Sequence, residues 1–197
     1  MDLYRTISAP SEAVFTEKRS KFLAFAFPVE TLEMIKDIIN TLSKKYFDAR
    51  HVCYAYMLGH ERTQFRANDN GEPSGTAGKP ILGQINSFEL TNILIVVVRY
   101  FGGIKLGTPG LIQAYRQAAR EAIEAAEIVE RHVMSKIDFS YPYESMNEVM
   151  KIGREPGVQI TETSFDNTCR MTLTVELDRE EFIRARLSSI EGVAFNT

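Results

Sequence analysis

Two glycine-rich loops hold most of the residues that could do chemistry, and they flank one strongly apolar stretch, residues 92–98. The first loop comprises residues 66–80 and the second loop residues 99–110. Glycines, hydroxyls and cations at the end of a rigid strand suit an anion, because glycine lets backbone N–H groups approach it closely. Phosphate, and hence nucleic acid or a nucleotide, is therefore the first ligand to consider.

Side chains in or beside these loops supply the candidate anion donors, which are cations, hydroxyls and one imidazole: Arg66, Ser74, Thr76, Lys79, Arg99, Lys105, Thr108 and His51. Asp69 and Glu72 are predicted to brace the first loop by pairing with cations or backbone N–H groups. A helix capped by Thr108 and begun by Pro109 would add N–H donors and a positive dipole end. Because proline lacks an N–H group, residues 74–79 are favoured as the better anion site.

Counted by spacing, neither loop is a standard nucleotide or metal motif. In the first loop only two residues separate Gly75 from Gly78, whereas a P-loop has four between its glycines. Ser74 stands one place too late for the G-x-S-x-G turn that exposes a nucleophilic serine. His51 and Cys53 share one face of a predicted strand, but two ligands make no zinc site. We therefore predict no metal, no cofactor and no catalytic residue.

The composition is that of an ordinary globular protein, with 197 residues of which 44% are hydrophobic and 25% charged. No apolar stretch approaches the roughly 20 residues that span a bilayer, and the first residues lack the pattern of a secretion signal. The two cysteines, Cys53 and Cys169, lie far apart in the sequence. These features predict a cytoplasmic protein with free thiols and no membrane partner.

The net charge of -3 conceals an uneven distribution of charge along the chain. Residues 44–120 contain ten Lys and Arg against five Asp and Glu, whereas residues 121–197 contain eight against fifteen. The excess of cations coincides with the glycine-rich loops. This pattern favours a nucleic-acid partner for the basic part and a basic protein partner for the acidic part.

Apolar periodicity predicts a two-domain α+β protein. The predicted strands are residues 3–8, 13–18, 21–28, 51–58, 93–98, 136–141, 158–165, 169–177 and 193–195. The predicted helices are residues 31–46, 77–86, 144–154 and 178–190, and one that begins at Thr108. We place a βαβ-type domain at residues 1–130 and a second domain at residues 131–197. The β-α-β-β-α-β order of the second domain is the ferredoxin-like pattern.

Several long strings of this sequence resemble the Impact family: SKFLA (20–24), DARHVCYAY (48–56), DNGEPSGTAGKP (69–80) and VVVRYFGGIKLG (96–107). Residues 111–115 fit as well, and the C-terminal part is similar to the small extra domain of the YigZ-like bacterial members. The resemblance implies an N-terminal fold like the second domain of a small-subunit ribosomal protein. It also implies a ferredoxin-like C-terminal domain and a role in the regulation of translation.

The leading hypothesis from the sequence is a non-enzymatic protein that binds RNA or the ribosome through its basic domain. The second hypothesis is an enzyme acting on a phosphorylated small molecule, with Asp69, Glu72 and His51 near the reacting group. The third is a protein-interaction module whose acidic C-terminal domain docks a basic partner.

Overall fold

The computed structural model describes residues 2–166 and 168–196, which divide into two compact units. The larger unit comprises residues 4–131, and the smaller unit comprises residues 132–196 together with residues 2–3. Each unit combines helices with an antiparallel sheet, which confirms the predicted α+β class. Within the described residues, every helix is too short or too polar to cross a bilayer.

The larger unit is built on a five-stranded sheet with three helices. Its elements in chain order are β1 (Leu3–Ile7), β2 (Ser11–Glu17), β3 (Ser20–Pro28), α1 (Leu32–Lys45), β4 (His51–Leu58), β5 (Gln64–Asn68), α2 (Gly78–Ser87), β6 (Ile93–Tyr100), α3 (Gly107–Glu124) and β7 (Ile128–His132). The main sheet has the strand order β2-β3-β6-β4-β5, with antiparallel neighbours throughout. A separate two-stranded sheet joins β1 to β7.

Strand β6 is the centre of the main sheet, as its unbroken apolar run predicts. Its residues from Ile93 to Val98 are 0% exposed, because helices cover both faces of the sheet. Ile93, Ile95 and Val97 pack with α2 and α3, whereas the alternate residues of β6 pack with α1. A strand covered on both faces needs apolar side chains at every position.

Helices α1 and α3 follow the patterns expected from the sequence. Thr31 caps α1, since its hydroxyl oxygen accepts a hydrogen bond from the Met34 N–H at 3.2 Å, and the helix begins where the predicted helix 31–46 places it. Helix α3 turns a buried face rich in alanine toward β2, β3 and β6. Small side chains let the helix axis approach the sheet closely, which brings Tyr115 into the core.

The structure corrects the sequence predictions in four places. Residues 64–68 form the edge strand β5, so residues 66–68 of the first loop belong to a strand, and residues 128–132 form β7. Both strands are short and mostly exposed, so they lack a strong apolar signal. Helix α3 begins at Gly107 without a side-chain cap, so Thr108 lies inside the helix. The predicted last helix, residues 178–190, begins later, because Asp178 and Arg179 belong to a 3-10 turn and α5 starts at Glu180.

The smaller unit has the ferredoxin-like arrangement. Its elements in chain order are β8 (Met134–Tyr141), α4 (Met146–Gly153), β9 (Val158–Phe165), β10 (Cys169–Glu176), α5 (Glu180–Ser188) and β11 (Ala194–Phe195). The sheet order is β11-β8-β10-β9, and all of its pairings are antiparallel. Alternate side chains of β8, such as Ile137 and Phe139, are fully buried with α4 and α5. The predicted ferredoxin-like pattern is therefore confirmed.

Candidate functional site

Strand pairing brings the two loops to one end of the main sheet. Arg99, near the end of β6, pairs with Phe22 near the start of β3 and with His51 at the start of β4. Antiparallel neighbours place the end of one strand beside the start of the next. The second loop, which leaves β6, therefore lies beside the residues that enter β3 and β4.

A cleft of about 390 Å³ opens at this end of the sheet, and we call it the Arg99 cleft. It is lined chiefly by the second loop and by the segment around Glu72, rather than by the favoured residues 74–79. The lining residues that could do chemistry are Arg50, His51, Glu72, Arg99, Phe101, Lys105 and Thr108. Five of these belong to the set predicted from the sequence.

A buried ion pair forms the floor of the cleft. Arg99 Nη1 donates to Glu72 Oε1 at 2.6 Å, and the two side chains are only 7% and 3% exposed. The hydroxyl of the fully buried Tyr115 donates to the same carboxylate oxygen at 2.7 Å. Two strong donors therefore hold Glu72 in one orientation.

The Arg99 guanidinium retains unused hydrogen-bonding capacity. It lies 5.7 Å from the ring centroid of Phe22 and 5.7 Å from that of Phe101. Its bond to Glu72 is its only hydrogen bond to residues that the structure describes, and its buried Nε has no partner among them. A guanidinium has five N–H donors, so Arg99 can pair with Glu72 and still donate to a ligand in the cleft.

His51 lies between the first loop and the cleft. Its Nδ1 is 2.8 Å from the carbonyl oxygen of Asn70, and because a carbonyl only accepts, Nδ1 carries a proton. The other ring nitrogen, Nε2, is 3.8 Å from Glu72 Oε2. The backbone of the first loop thus orients the imidazole, with Nε2 toward the carboxylate.

Cys53 and Tyr115 lie behind the ion pair as protonated groups. Burial, partly offset by a hydrogen bond with Tyr115, raises the pKa of the Cys53 thiol to about 12. Its sulfur is 2.9 Å from the Asp69 carbonyl oxygen. Burial also raises the pKa of Tyr115, and its neighbours Cys53 and Glu72 add to this effect. A thiol held in this form is a poor nucleophile, so Cys53 acts in packing.

Asp69 shapes the first loop through its carboxylate. Oδ2 accepts from the Gly75 N–H at 2.9 Å, and Oδ1 accepts from Ala77 at 3.1 Å and Gly78 at 2.8 Å. These bonds satisfy N–H groups at the start of α2. Partial burial alone would raise the pKa of Asp69, but the three N–H donors and the charge of Lys79 outweigh it and lower the pKa.

Asp69→Asn removes the charge that strengthens the three N–H bonds to this side chain, so we expect it to destabilise the larger unit by about 1–2 kcal/mol near neutral pH. The loss is no larger because water competes for the half-buried carboxylate. A lowered folded-state pKa gives stability that is fully present above the unfolded value, here 3.8. That stability is lost as the pH falls through the folded-state pKa. Urea unfolding at several acidic pH values should therefore show the two proteins converging as the pH falls. A difference that stays constant with pH would contradict this account.

The remaining predicted donors lie outside the Arg99 cleft. Arg66 is exposed on β5, opposite Tyr56, which packs on the α1 face of the sheet, whereas Arg99 is on the α3 face. Thr76 is 1% exposed, and its hydroxyl donates to the Pro73 carbonyl at 2.6 Å. Ser74 is exposed in the first loop. Lys79 lines a second depression, between α2 and α3, together with Arg116.

Three residues of the site were absent from the predicted set. Arg50 and Phe101 line the cleft, and both are exposed enough to meet a ligand, with Phe101 47% exposed. The sequence signal for Arg50 and Phe101 as cleft residues is their position, directly before β4 and directly after β6, at the sheet end where the cleft opens. Tyr115 resembles any other core residue of α3, so the sequence does not reveal its hydroxyl contact. Among the described residues, no group of three or more His, Cys, Asp or Glu side chains could hold a metal ion.

The fold and the cleft define a class of two-unit α+β proteins with a cation-lined cleft at one sheet end. A family model described as the Impact N-terminal domain matches residues 18–123, more than half of the chain. The chain belongs to the Impact family, which confirms the resemblance found in the sequence.

Named relatives agree with this assignment, and a solved structure shares the fold. The chain is 33% identical to "IMPACT family member YvyE" of Bacillus subtilis (strain 168), over 88% of this chain and 80% of that protein. It is 37% identical to "IMPACT family member YigZ" of Escherichia coli (strain K12), over 62% of this chain and 61% of that protein. A crystal structure of a protein described only as hypothetical superposes with a TM-score of 0.81 at 26% identity, covering 99% of this chain and 97% of that one.

Proposed function

We propose that this protein is a non-enzymatic RNA-binding or ribosome-associated protein with a role in the regulation of translation. The Arg99 cleft is its RNA contact. The observation that carries this proposal is the cleft's lining, where exposed cations stand beside an exposed aromatic ring. Arg50 and Lys105 form no ion pair with any residue that the structure describes, and the Phe101 ring centroid lies 5.7 Å from the Arg99 guanidinium, which lines the same cleft.

The chemistry of this lining suits a single-stranded nucleic acid. Arg50 and Lys105 can neutralise backbone phosphates, and the Thr108 hydroxyl can donate to a phosphate oxygen. Phe101 is 47% exposed, and a base can stack on the part of its ring that the Arg99 guanidinium does not cover. Stacking on an aromatic ring requires an unpaired base, which favours single-stranded over duplex RNA.

Membership of the Impact family supplies the biological setting for the proposal. The resemblance found in the sequence implies a role in the regulation of translation, and an RNA contact in the larger unit is consistent with that role. The excess of cations in residues 44–120 also supports it, because this segment contains β4, β6 and both loops.

Replacing both exposed cations, Arg50→Gln with Lys105→Gln, should weaken binding to a single-stranded RNA of about 12 nucleotides by about tenfold. The slope of log K against log salt should fall by about 1.4, since each lost phosphate contact on a single strand contributes about 0.7. Fluorescence anisotropy over a range of salt concentrations measures both quantities. Arg99 is less suitable for this test, because its replacement would also break the buried pair with Glu72.

A matched control is Lys36→Gln with Lys44→Gln, which removes the same charge from exposed positions on α1, on the other face of the sheet. This control should leave binding almost unchanged. The proposal is wrong if the unaltered protein binds RNA without salt dependence, or if the cleft variant and the control weaken binding equally.

An enzyme acting on a phosphorylated small molecule is the second candidate, and the pair of His51 and Glu72 in the same cleft favours it. Asp69 is committed to three backbone N–H groups, so only these two groups remain for acid–base work. A small phosphorylated compound that raises the melting temperature, with the effect lost in His51→Ala, would support this candidate over RNA binding.

A further inference from the structure

The hairpin between β2 and β3 turns through two charged residues in an unfavourable backbone conformation. Glu17 pairs with Ser20, so Lys18 and Arg19 alone form the connection. Their φ angles are 45° and 65°, the left-handed region at both central positions that defines a type I′ turn. Asn-Gly is the usual choice for such a turn, because side chains beyond glycine and asparagine are strained there.

A hydrogen bond and a close backbone contact join this turn to the second loop. The Gly102 N–H donates to the hydroxyl of Ser20 at 3.2 Å, and Ser20 is 0% exposed. A Cβ at position 102 would overlap the backbone of Arg19, so the two segments are in direct backbone contact. The loop that carries Phe101 and Lys105 therefore has the turn as its neighbour.

The turn adds two cations to the end of the sheet where the cleft lies. Lys18 and Arg19 are exposed, and neither side chain pairs with any residue in the part of the chain that the structure describes. Lys21 pairs with Tyr100, the last residue of β6, so the turn lies just past that strand. Strand β6 separates β3 from β4, which puts the backbones of those two strands about 10 Å apart.

We infer that the Lys18–Arg19 turn is a second phosphate contact for the RNA held in the Arg99 cleft. This inference rests on the proposed function and narrows it: the ligand is a strand of several nucleotides rather than a mononucleotide. The separation of about two strand spacings, from β4 across β6 to β3, exceeds the width of one phosphate group. Lys18 and Arg19 also cost stability at a turn where Asn-Gly would fit without strain. Residues that cost stability in this way are typical of binding sites.

The test is Lys18→Asn with Arg19→Gly in the full chain, because these residues fit the turn better while removing both charges. The melting temperature should rise by about 2–4 °C. Binding to a single-stranded RNA of about 12 nucleotides should weaken several-fold, and the salt slope should fall by about 1.4. Uridine monophosphate should bind the two proteins equally, because a single nucleotide whose phosphate pairs with Arg50, directly before β4, does not also reach the turn two strand spacings away.

Two reference variants separate charge from conformation. Lys18→Arg with Arg19→Lys keeps both charges and should keep full RNA binding, and Lys36→Gln with Lys44→Gln removes two charges from α1 and should also keep it. The inference is overturned if Lys18→Asn with Arg19→Gly leaves the RNA affinity and the salt slope unchanged while Arg50→Gln with Lys105→Gln still weakens binding. If the unaltered protein binds no RNA at all, the proposed function fails, and this inference fails with it.

Discussion

Replacing Glu72 by alanine should lower the free energy of unfolding by about 3–5 kcal/mol, which is the cost of leaving one member of a buried ion pair without its partner. Arg99 is 6% exposed and would keep its charge with no carboxylate beside it. The fully buried Tyr115 hydroxyl would lose its acceptor at the same time. Urea unfolding of the full chain, followed by circular dichroism, measures the loss.

Two further variants show whether the uncompensated charge is the cause. Glu72→Gln retains an oxygen acceptor for Tyr115 and Arg99 but removes the negative charge, so its loss should be smaller than that of the alanine variant. Glu72→Met with Arg99→Met removes both charges and should be more stable than Glu72→Met alone, since apolar replacement of a buried pair is often tolerated. If the double variant is no more stable than the single one, the unpaired charge of Arg99 does not explain the effect.

Replacing Gly78 by alanine is the second large change, with an expected loss of about 3 kcal/mol from overpacking. A Cβ at this position would lie 2.5 Å from the backbone nitrogen of Asn68. Strand backbone cannot rotate away as a side chain can, so α2 or β5 must shift. A shift of the Gly78 N–H would also lengthen its 2.8 Å hydrogen bond to Asp69.

Gly83 in the same helix provides the matched comparison. Apart from its chain neighbours and the nearby backbone of its own helix, no described atom lies within 4 Å of the position that its Cβ would occupy, so Gly83→Ala should stabilise the protein by about 0.5–1 kcal/mol through helix propensity alone. The two alanine variants, measured side by side by thermal and urea unfolding, should therefore change stability in opposite directions. If both variants changed the stability equally, the close approach of Gly78 to the Asn68 backbone would not be what excludes a side chain at position 78.

Local patterns in the sequence were sufficient to predict most of the fold. The unbroken apolar run of β6 specifies a central strand, the alanine stripe of α3 specifies a helix close to the sheet, and Thr31 specifies a helix start. Each of these signals depends on residues within one or two turns of one another. Strand β5 escaped prediction because an exposed edge strand carries little apolar pattern to recognise.

The geometry of the site depends on contacts that no local pattern encodes. Glu72 and Tyr115 are 43 positions apart in the chain and meet only after α3 packs on the sheet. Arg66 lies in the same basic segment as Arg99, but its strand register places it on the other face of the sheet. A sequence reveals the residue types of such a set, and only the pairing of strands decides which of them share a cleft.

The reactivity of the two free cysteines can report local unfolding in the unmodified protein. Cys53 is buried in the larger unit and Cys169 in the smaller one, so each unit conceals a single thiol. An alkylating reagent reaches a buried thiol only when the structure around it opens. The alkylation rate of each cysteine, resolved by mass spectrometry, would thus compare how often the two units open in the unmodified protein, without any engineered label.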